Sequence, residues 1–290
     1  METIILAPHS AQPLTVNRLG YGAMRLTGPG NWGEPADRQQ ALDILKTAVA
    51  SGVNFIDTAD FYGLDVTNRL IAEALHPYAQ DLVICTKVGG ARQPDKSLRL
   101  FARPAELRTS IENNLRTLQQ AQIQLVHFRV MAGQTEVPFT ESMGALYDLQ
   151  REGKIQHVGV SNVTPEELTQ ALAMGEVASV ENMYGYAQRT TLPGNHGETR
   201  GGEVLPLCEQ HGIAFIPLFS LVHGLADADD KLAALARQRG VTKAQLNLAW
   251  LLHKSPLLLP IPGTSSLAHL RENLAAATIQ LSAADMAYLG

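Results

Sequence analysis

The sequence is poor in cysteine. Among its 290 residues only Cys85 and Cys208 are cysteines. They are too few for a disulfide framework and too far apart for a CxxC motif or a zinc-ligand spacing. Both stand in apolar stretches and read as small core side chains. No uninterrupted apolar run approaches the ~18–20 residues that span a bilayer. The stretch Met1-Glu2-Thr3-Ile4-Ile5-Leu6-Ala7-Pro8 has no basic segment leading into a long apolar one, so no signal peptide is expected there. No block of Lys and Arg appears, and the formal net charge is -5, which argues against nucleic acid or an anionic membrane as the main partner. A pocket can still be locally positive on an acidic protein. What is present is a 45% hydrophobic composition, ample for a sizeable core and incompatible with wholesale disorder. The expectation is a soluble cytoplasmic protein, a single domain over residues 1–290, acting as a monomer or weak homo-oligomer.

Short apolar runs alternate with amphipathic segments along the whole length. Eight strands are expected: Leu19–Met24, Val53–Thr58, Leu82–Val88, Ile123–Val130, Ile155–Ser161, Ser179–Met183, Ile213–Phe219 and Leu257–Ile261. Helical periodicity marks Arg38–Ala50, Val66–Leu75, Pro104–Leu118, Thr140–Arg151, Pro165–Met174, Glu203–Gln210, Asp230–Arg239, Lys243–His253 and Ala268–Ala277. Thr164-Pro165-Glu166-Glu167 supplies an N-cap, a proline at the first helical position and acids in the first turn. A strand–helix rhythm repeated eight times is that of a (β/α)8 TIM barrel. A doubly wound sheet is disfavoured, because no GxGxxG follows the first strand and so no Rossmann motif is present. Gly185–Gly202 reads as a long loop within the barrel rather than a linker.

In barrels of this kind chemistry sits at the C-terminal ends of the strands. Asp57 closes the second strand, Lys87 the third, and His127 and Arg129 share a face of the fourth. A buried carboxylate or ammonium is costly unless paired, so Asp57 and Lys87 are expected to satisfy each other. As isolated residues they would read as a structural ion pair, with His127 a core histidine. Tyr62, five residues beyond Asp57, changes that reading. A phenol titrates near ~10, and a nearby Lys87 would lower its pKa toward useful proton donation. His127 would then aim a carbonyl at the phenol.

With Leu19-Gly20-Tyr21-Gly22, Phe55-Ile56-Asp57-Thr58-Ala59 followed by Tyr62-Gly63, Thr86-Lys87, Val158-Gly159-Val160-Ser161-Asn162 and Ile261-Pro262-Gly263-Thr264 in this order, the chain resembles the aldo-keto reductase superfamily over nearly its whole length. The resemblance implies a (β/α)8 barrel that binds NADPH without a Rossmann motif and reduces a carbonyl. It implies a catalytic tetrad of Asp57, Tyr62, Lys87 and His127, with Tyr62 as general acid. It also implies cofactor contacts from Ser161, Asn162 and Glu181 to the nicotinamide carboxamide. Glu181 stands where many members have Gln and, when ionised, can only accept. Leu218 stands where the family often stacks a Tyr on the nicotinamide, and alternation turns Phe219 elsewhere. At the adenosine end the resemblance implies Gly263, Thr264, Ser265, Ser266, Arg271, Glu272 and Asn273, with Arg271 taking the 2′-phosphate because serines occupy 265 and 266, where relatives place Lys or Arg.

The substrate pocket is expected from Arg25, Trp32, Tyr62, His127, Met131 and the loop Tyr184–Arg189, with Arg25 and Arg129 as anchors for a polar or anionic substrate. The other histidines form no HxH or HExxH cluster, and no carboxylate/histidine set at the strand ends suggests a metal; His223 is a candidate neighbour of the cofactor diphosphate. The strings around Leu19–Arg25, Asp57–Thr67 and Ile261–Asn273 resemble a pyridoxal-reductase-like branch, which makes pyridoxal, or another small aromatic aldehyde, the leading substrate. A nucleotide-sensing regulatory subunit on the same barrel is the alternative.

Overall fold

The computed structural model describes residues 2–131, 133, 136–194, 197–221 and 230–290. The chain opens with an antiparallel hairpin, β1 (Thr3–Leu6) and β2 (Leu14–Asn17). The barrel strands follow: β3 (Tyr21–Gly22), β4 (Phe55–Asp57), β5 (Val83–Arg92), β7 (Ile123–Arg129), β8 (Ile155–Ser161), β9 (Ser179–Met183) and β12 (Ala214–Leu218). They form one parallel sheet in the order β3-β4-β5-β7-β8-β9-β12. The expected eighth strand, Leu257–Ile261, closes the ring without a regular ladder. Leu259 N donates to Phe215 O on one side, and Gly20 N donates to Pro260 O on the other, both at 2.9 Å. Pro260 and Pro262 have no N–H to give, which explains the missing ladder. The architecture is the expected (β/α)8 barrel.

Five helices span their expected limits: α1 (Arg38–Ala50), α2 (Val66–Leu75), α3 (Pro104–Leu118), α5 (Pro165–Met174) and α7 (Asp230–Arg239). Four others differ by a residue or two: α4 (Phe139–Arg151), α6 (Leu205–His211), α8 (Lys243–Lys254) and α9 (Leu267–Ala275). A last helix, α10 (Ala283–Leu289), was not expected; a reciprocal Ser282–Asp285 capping box starts it.

Two further hairpins lie outside the alternating rhythm. β5 runs past the barrel rim and pairs antiparallel with β6 (Leu98–Phe101). The expected loop 185–202 contains β10 (Leu192–Gly194) paired with β11 (Gly197–Thr199). At the other end of the barrel the β1–β2 hairpin contributes Ile4, Leu6 and Val16 to a cluster with Phe55, Val83, Leu125, Ala214, Ile216 and Leu259. That apolar plug fills the lower barrel and leaves the polar residues at the C-terminal rim. Cys85 and Cys208 are buried free thiols, as expected. Among the described residues no helix is long and apolar enough to cross a membrane.

Candidate active site

Strand register brings the chemistry together. Asp57 is level with Gly22 and Cys85, and Lys87 is level with His127. Lys87 Nζ is hydrogen-bonded to Asp57 Oδ1 and lies 3.2 Å from Glu181 Oε1. Its ammonium sits 5.3 Å from the centroid of the Tyr62 ring. Asp57, Lys87 and Glu181 are each no more than 3% exposed. Behind them Thr58 and Thr86 join Thr67, Asn68, Asn114 and Thr117 in a buried hydrogen-bond network that ties β4 and β5 to α2 and α3. Nothing in the sequence pattern announced that network; it fixes the two strands carrying Asp57 and Lys87.

Burial, followed by the neighbouring Glu181, pushes the Asp57 carboxyl up to about 7 against the pull of Lys87. Burial also works against the Lys87 ammonium, but Asp57 and Glu181 together hold its pKa well above the ordinary value. Burial opposes ionisation of Glu181 too, yet Lys87 and His127 outweigh it and keep that carboxyl below its usual range. The expected lowering of the Tyr62 pKa does not occur. Burial raises it to about 12; Lys87 and Arg129 pull down, but Asp57 and Glu181 push up. The two carboxylates that share the lysine offset part of its pull on the phenol. The Tyr62 hydroxyl makes no hydrogen bond among the described residues, and the residue retains 8% exposure, toward a cavity.

That cavity, about 160 Å³, is lined by Tyr62, Lys87, Asp57, Glu181, Arg129 and Leu218 among others. His127 is absent from it. Its ring is fully buried: Nδ1 lies 3.0 Å from Glu181 Oε2 and Nε2 2.7 Å from Ser179 Oγ. Burial lowers its pKa despite Glu181, so the neutral ring donates from Nδ1 to the carboxylate and accepts at Nε2. Gly159 makes room for it, since a Cβ there would stand 2.4 Å from the imidazole. The expectation that His127 reaches a carbonyl in the cavity is therefore corrected: it lies one layer too deep. Arg129, two residues on and on the same face, is level with Ser161, itself level with Glu181, and lines the cavity in its place. Gly89, at φ +111, lets β5 pass that rim where a Cβ would meet Arg129 O at 2.5 Å.

A groove of about 740 Å³ adjoins the cavity and runs between the segment 25–41 and the start of α9. Gly263 and Arg25 border both. Thr264, Ser265, Ser266, Glu272 and Asn273 line the groove as expected. Asn273 is 4% exposed, and its side-chain amide makes no hydrogen bond among the described residues. Arg271 is exposed and faces away from the groove, whereas His269 lines it. A helix face explains this: 269, 272 and 273 lie together, and 271 points to the other side.

The remaining expectations divide. Ser161 Oγ is buried without a partner. Asn162 is tied to the fold, with Nδ2 donating to Val130 O and Glu198 O and Oδ1 accepting from Arg200 N, which leaves only the second lone pair of Oδ1 for a cofactor. Each oxygen of Glu181 is already held, one by Lys87 and one by His127, which leaves it only a second lone pair on each oxygen for a carboxamide N–H. Leu218 lines the cavity, and so does Phe219, because the strand ends and Phe219 turns to φ 55 instead of continuing the alternation. Trp32 lines neither space. Met131 lines a separate cavity with Phe128, Val130 and Phe139. The loop from Tyr184 to Arg189 packs on Trp250 of α8, with Tyr184 stacked at 5.9 Å and Arg189 at 4.8 Å. Met24 and Asn31 line the cavity unforeseen. His223 lies outside the described residues. Asp57, Cys85 and His127 carry donor atoms within 4.8 Å of one another. Lys87 engages the first and burial keeps the thiol protonated, so the trio is an ion-pair environment in this geometry.

Comparison with protein families matches residues 18–290 to the Aldo/keto reductase family. The chain belongs to that family, and is an oxidoreductase of it. It is 43% identical over 272 residues to the pyridoxine 4-dehydrogenase of Escherichia coli K12, covering 92% of each chain. It is 38% identical to an uncharacterised oxidoreductase of Schizosaccharomyces pombe, covering 95% of this chain and 86% of that one. Among solved structures, an aldo/keto reductase from Klebsiella pneumoniae in complex with NADP and acetate superposes with a TM-score of 0.76 at 28% identity, covering 99% of this chain and 93% of that one.

Proposed function

We propose that the protein, acting as one unit, reduces an aldehyde or ketone to the alcohol with NADPH, Tyr62 delivering the proton. The observation that carries this reading is the Tyr62 phenol: neutral, free of hydrogen bonds, and turned into a cavity that opens beside a long groove. The residues present fit a dinucleotide. The orphaned Ser161 hydroxyl suits the carboxamide, Leu218 and Phe219 offer apolar faces to the ring, and Arg25 stands where a diphosphate would cross from cavity to groove. Ser265, Ser266, His269 and the start of α9 suit the 2′-phosphate, and the free amide of Asn273 suits the adenine. Bound nicotinamide supplies the hydride.

The chain's own part is to hold and move the proton. A phenol raised to about 12 stays protonated throughout the physiological range, so the acid is always loaded. Releasing that proton to a developing alkoxide is favourable only because the alkoxide is the stronger base. Lys87 stabilises the phenolate that remains, and Asp57 and Glu181 keep Lys87 charged and fixed. Arg129, rather than His127, lines the cavity beside Tyr62. A subunit that only senses nucleotide would not need the free, aimed phenol.

The leading substrate is pyridoxal, by resemblance to the Escherichia coli relative named above. Steady-state reduction of pyridoxal against benzaldehyde tests this. A kcat/KM at least about tenfold higher for pyridoxal supports it, and equal values overturn it.

A further inference from the structure

Arg129, at the rim of the cavity, and Arg92, at the end of β5, have no carboxylate partner among the described residues. Arg129 lines the cavity and, among the described residues, makes neither an ion pair nor a side-chain hydrogen bond. Arg92, at the end of β5, donates from Nη1 to Lys96 O at 2.7 Å and leaves its buried Nε without a partner. Arg92 is level with Leu98 of β6, which packs against the cluster that holds Phe61 and Tyr62. Burial draws the Arg92 guanidinium below its usual pKa, Tyr62 opposes this, and Arg129 adds to it. Holding like charges together while part of one is desolvated costs free energy unless an anion joins them.

The carboxylates already in the cavity do not meet that need. Asp57 and Glu181 are both bound to Lys87, and the second oxygen of Glu181 belongs to His127. The diphosphate of a dinucleotide does not meet it either. Arg25 borders both cavity and groove and so lies on the nucleotide's path, whereas Arg129 borders the cavity alone. We propose that Arg129 and Arg92 recognise a carboxylate or phosphate carried by the carbonyl substrate and thereby set its carbonyl oxygen against Tyr62. The planar fork of guanidinium fits either anion. This assignment rests on the carbonyl-reductase reading and narrows it to anionic aldehydes and ketones.

The test compares 4-carboxybenzaldehyde with its neutral methyl ester, and pyridoxal 5′-phosphate with pyridoxal, in the wild type, Arg129→Met and Arg92→Met. The expected wild-type kcat/KM favours one anionic member of a pair by at least about tenfold, and the pair that shows it identifies the anion as carboxylate or phosphate. In each variant that preference ratio falls toward one. Equal wild-type values in both pairs overturn the proposal, as does a preference that survives both substitutions. Calorimetric titration of the NADPH-loaded wild type with benzoate and with phenyl phosphate separates this failure from failure of the reductase reading. An anion bound by the wild type and lost in Arg129→Met upholds the anion site even where no aldehyde is turned over. Binding of neither anion overturns it even where aldehydes are reduced.

Discussion

The cavity and the groove are built from similar polar residues and treat them in opposite ways. In the cavity floor every charge answers another: Lys87 holds Asp57 and Glu181, Glu181 holds His127, and His127 holds Ser179. Among the described residues, Asn273 in the groove is buried with an unused amide, and Arg129 and Arg25 at the rim have no ion pair. The floor is satisfied in the free protein and so keeps its geometry before anything binds. The groove and the rim hold polar groups in reserve for a ligand. Preorganised chemistry and ligand recognition are thus separated by one strand layer, with Tyr62 at the boundary.

The sharpest way to break this contrast is at the boundary. Tyr62→Phe should lower kcat on the order of a thousandfold, in the range of lost general-acid catalysis, while NADPH affinity stays within about threefold. Turnover near wild type would remove Tyr62 from the chemistry. Next in size is Lys87→Met, which leaves two buried carboxylates facing each other. It should abolish turnover and cost about 3–5 kcal/mol of stability, read from denaturant unfolding; an unchanged midpoint would show that the floor is not a paired cluster.

The pH dependence of stability sharpens the same point. Asp57 and Asp60, raised to about 7 by burial first, bind protons in the folded state that the unfolded chain has already lost above its ordinary carboxylate pKa of about 4. Their contribution to stability is therefore full at low pH, declines as pH rises from about 4 to about 7, and is flat beyond. Asp60→Asn should flatten part of that decline in thermal midpoints, and an identical slope would contradict the burial account. The smallest effects belong to the groove. Asn273→Ala should weaken NADPH binding about fivefold, one neutral hydrogen bond's worth, without shifting the melting temperature. His269→Ala should weaken NADPH binding several-fold but leave NADH unchanged, and Arg271→Ala should alter neither.

Much of this was legible in the sequence because local signals and tertiary demands agree. The helix limits followed from periodicity and caps such as Thr164 with Glu167. Asp57 and Lys87 followed from the cost of burying charge at strand ends. The failures have physical causes. Alternation puts His127 and Arg129 on one face but cannot say which layer reaches the rim; only the register of β7 against β8 does. The upward shift of Tyr62 comes first from its burial and then from Asp57 and Glu181, which offset Lys87; neither the depth of Tyr62 nor the approach of Glu181 from β9 shows in a local pattern. The spare arginine in Arg271-Glu272-Asn273 drew attention from His269, although helical spacing groups 269 with 272 and 273. The β1–β2 hairpin and β6 are four-residue strands, too short to carry a periodic signal.

The most direct measurement is a fluorescence titration of the purified protein with NADPH and, separately, NADH. The account predicts saturable binding of both with NADPH the tighter, the difference arising at Ser265, Ser266 and His269. Failure to bind either nucleotide would contradict it and return Asp57, Lys87 and Glu181 to a structural ion cluster beneath the loops.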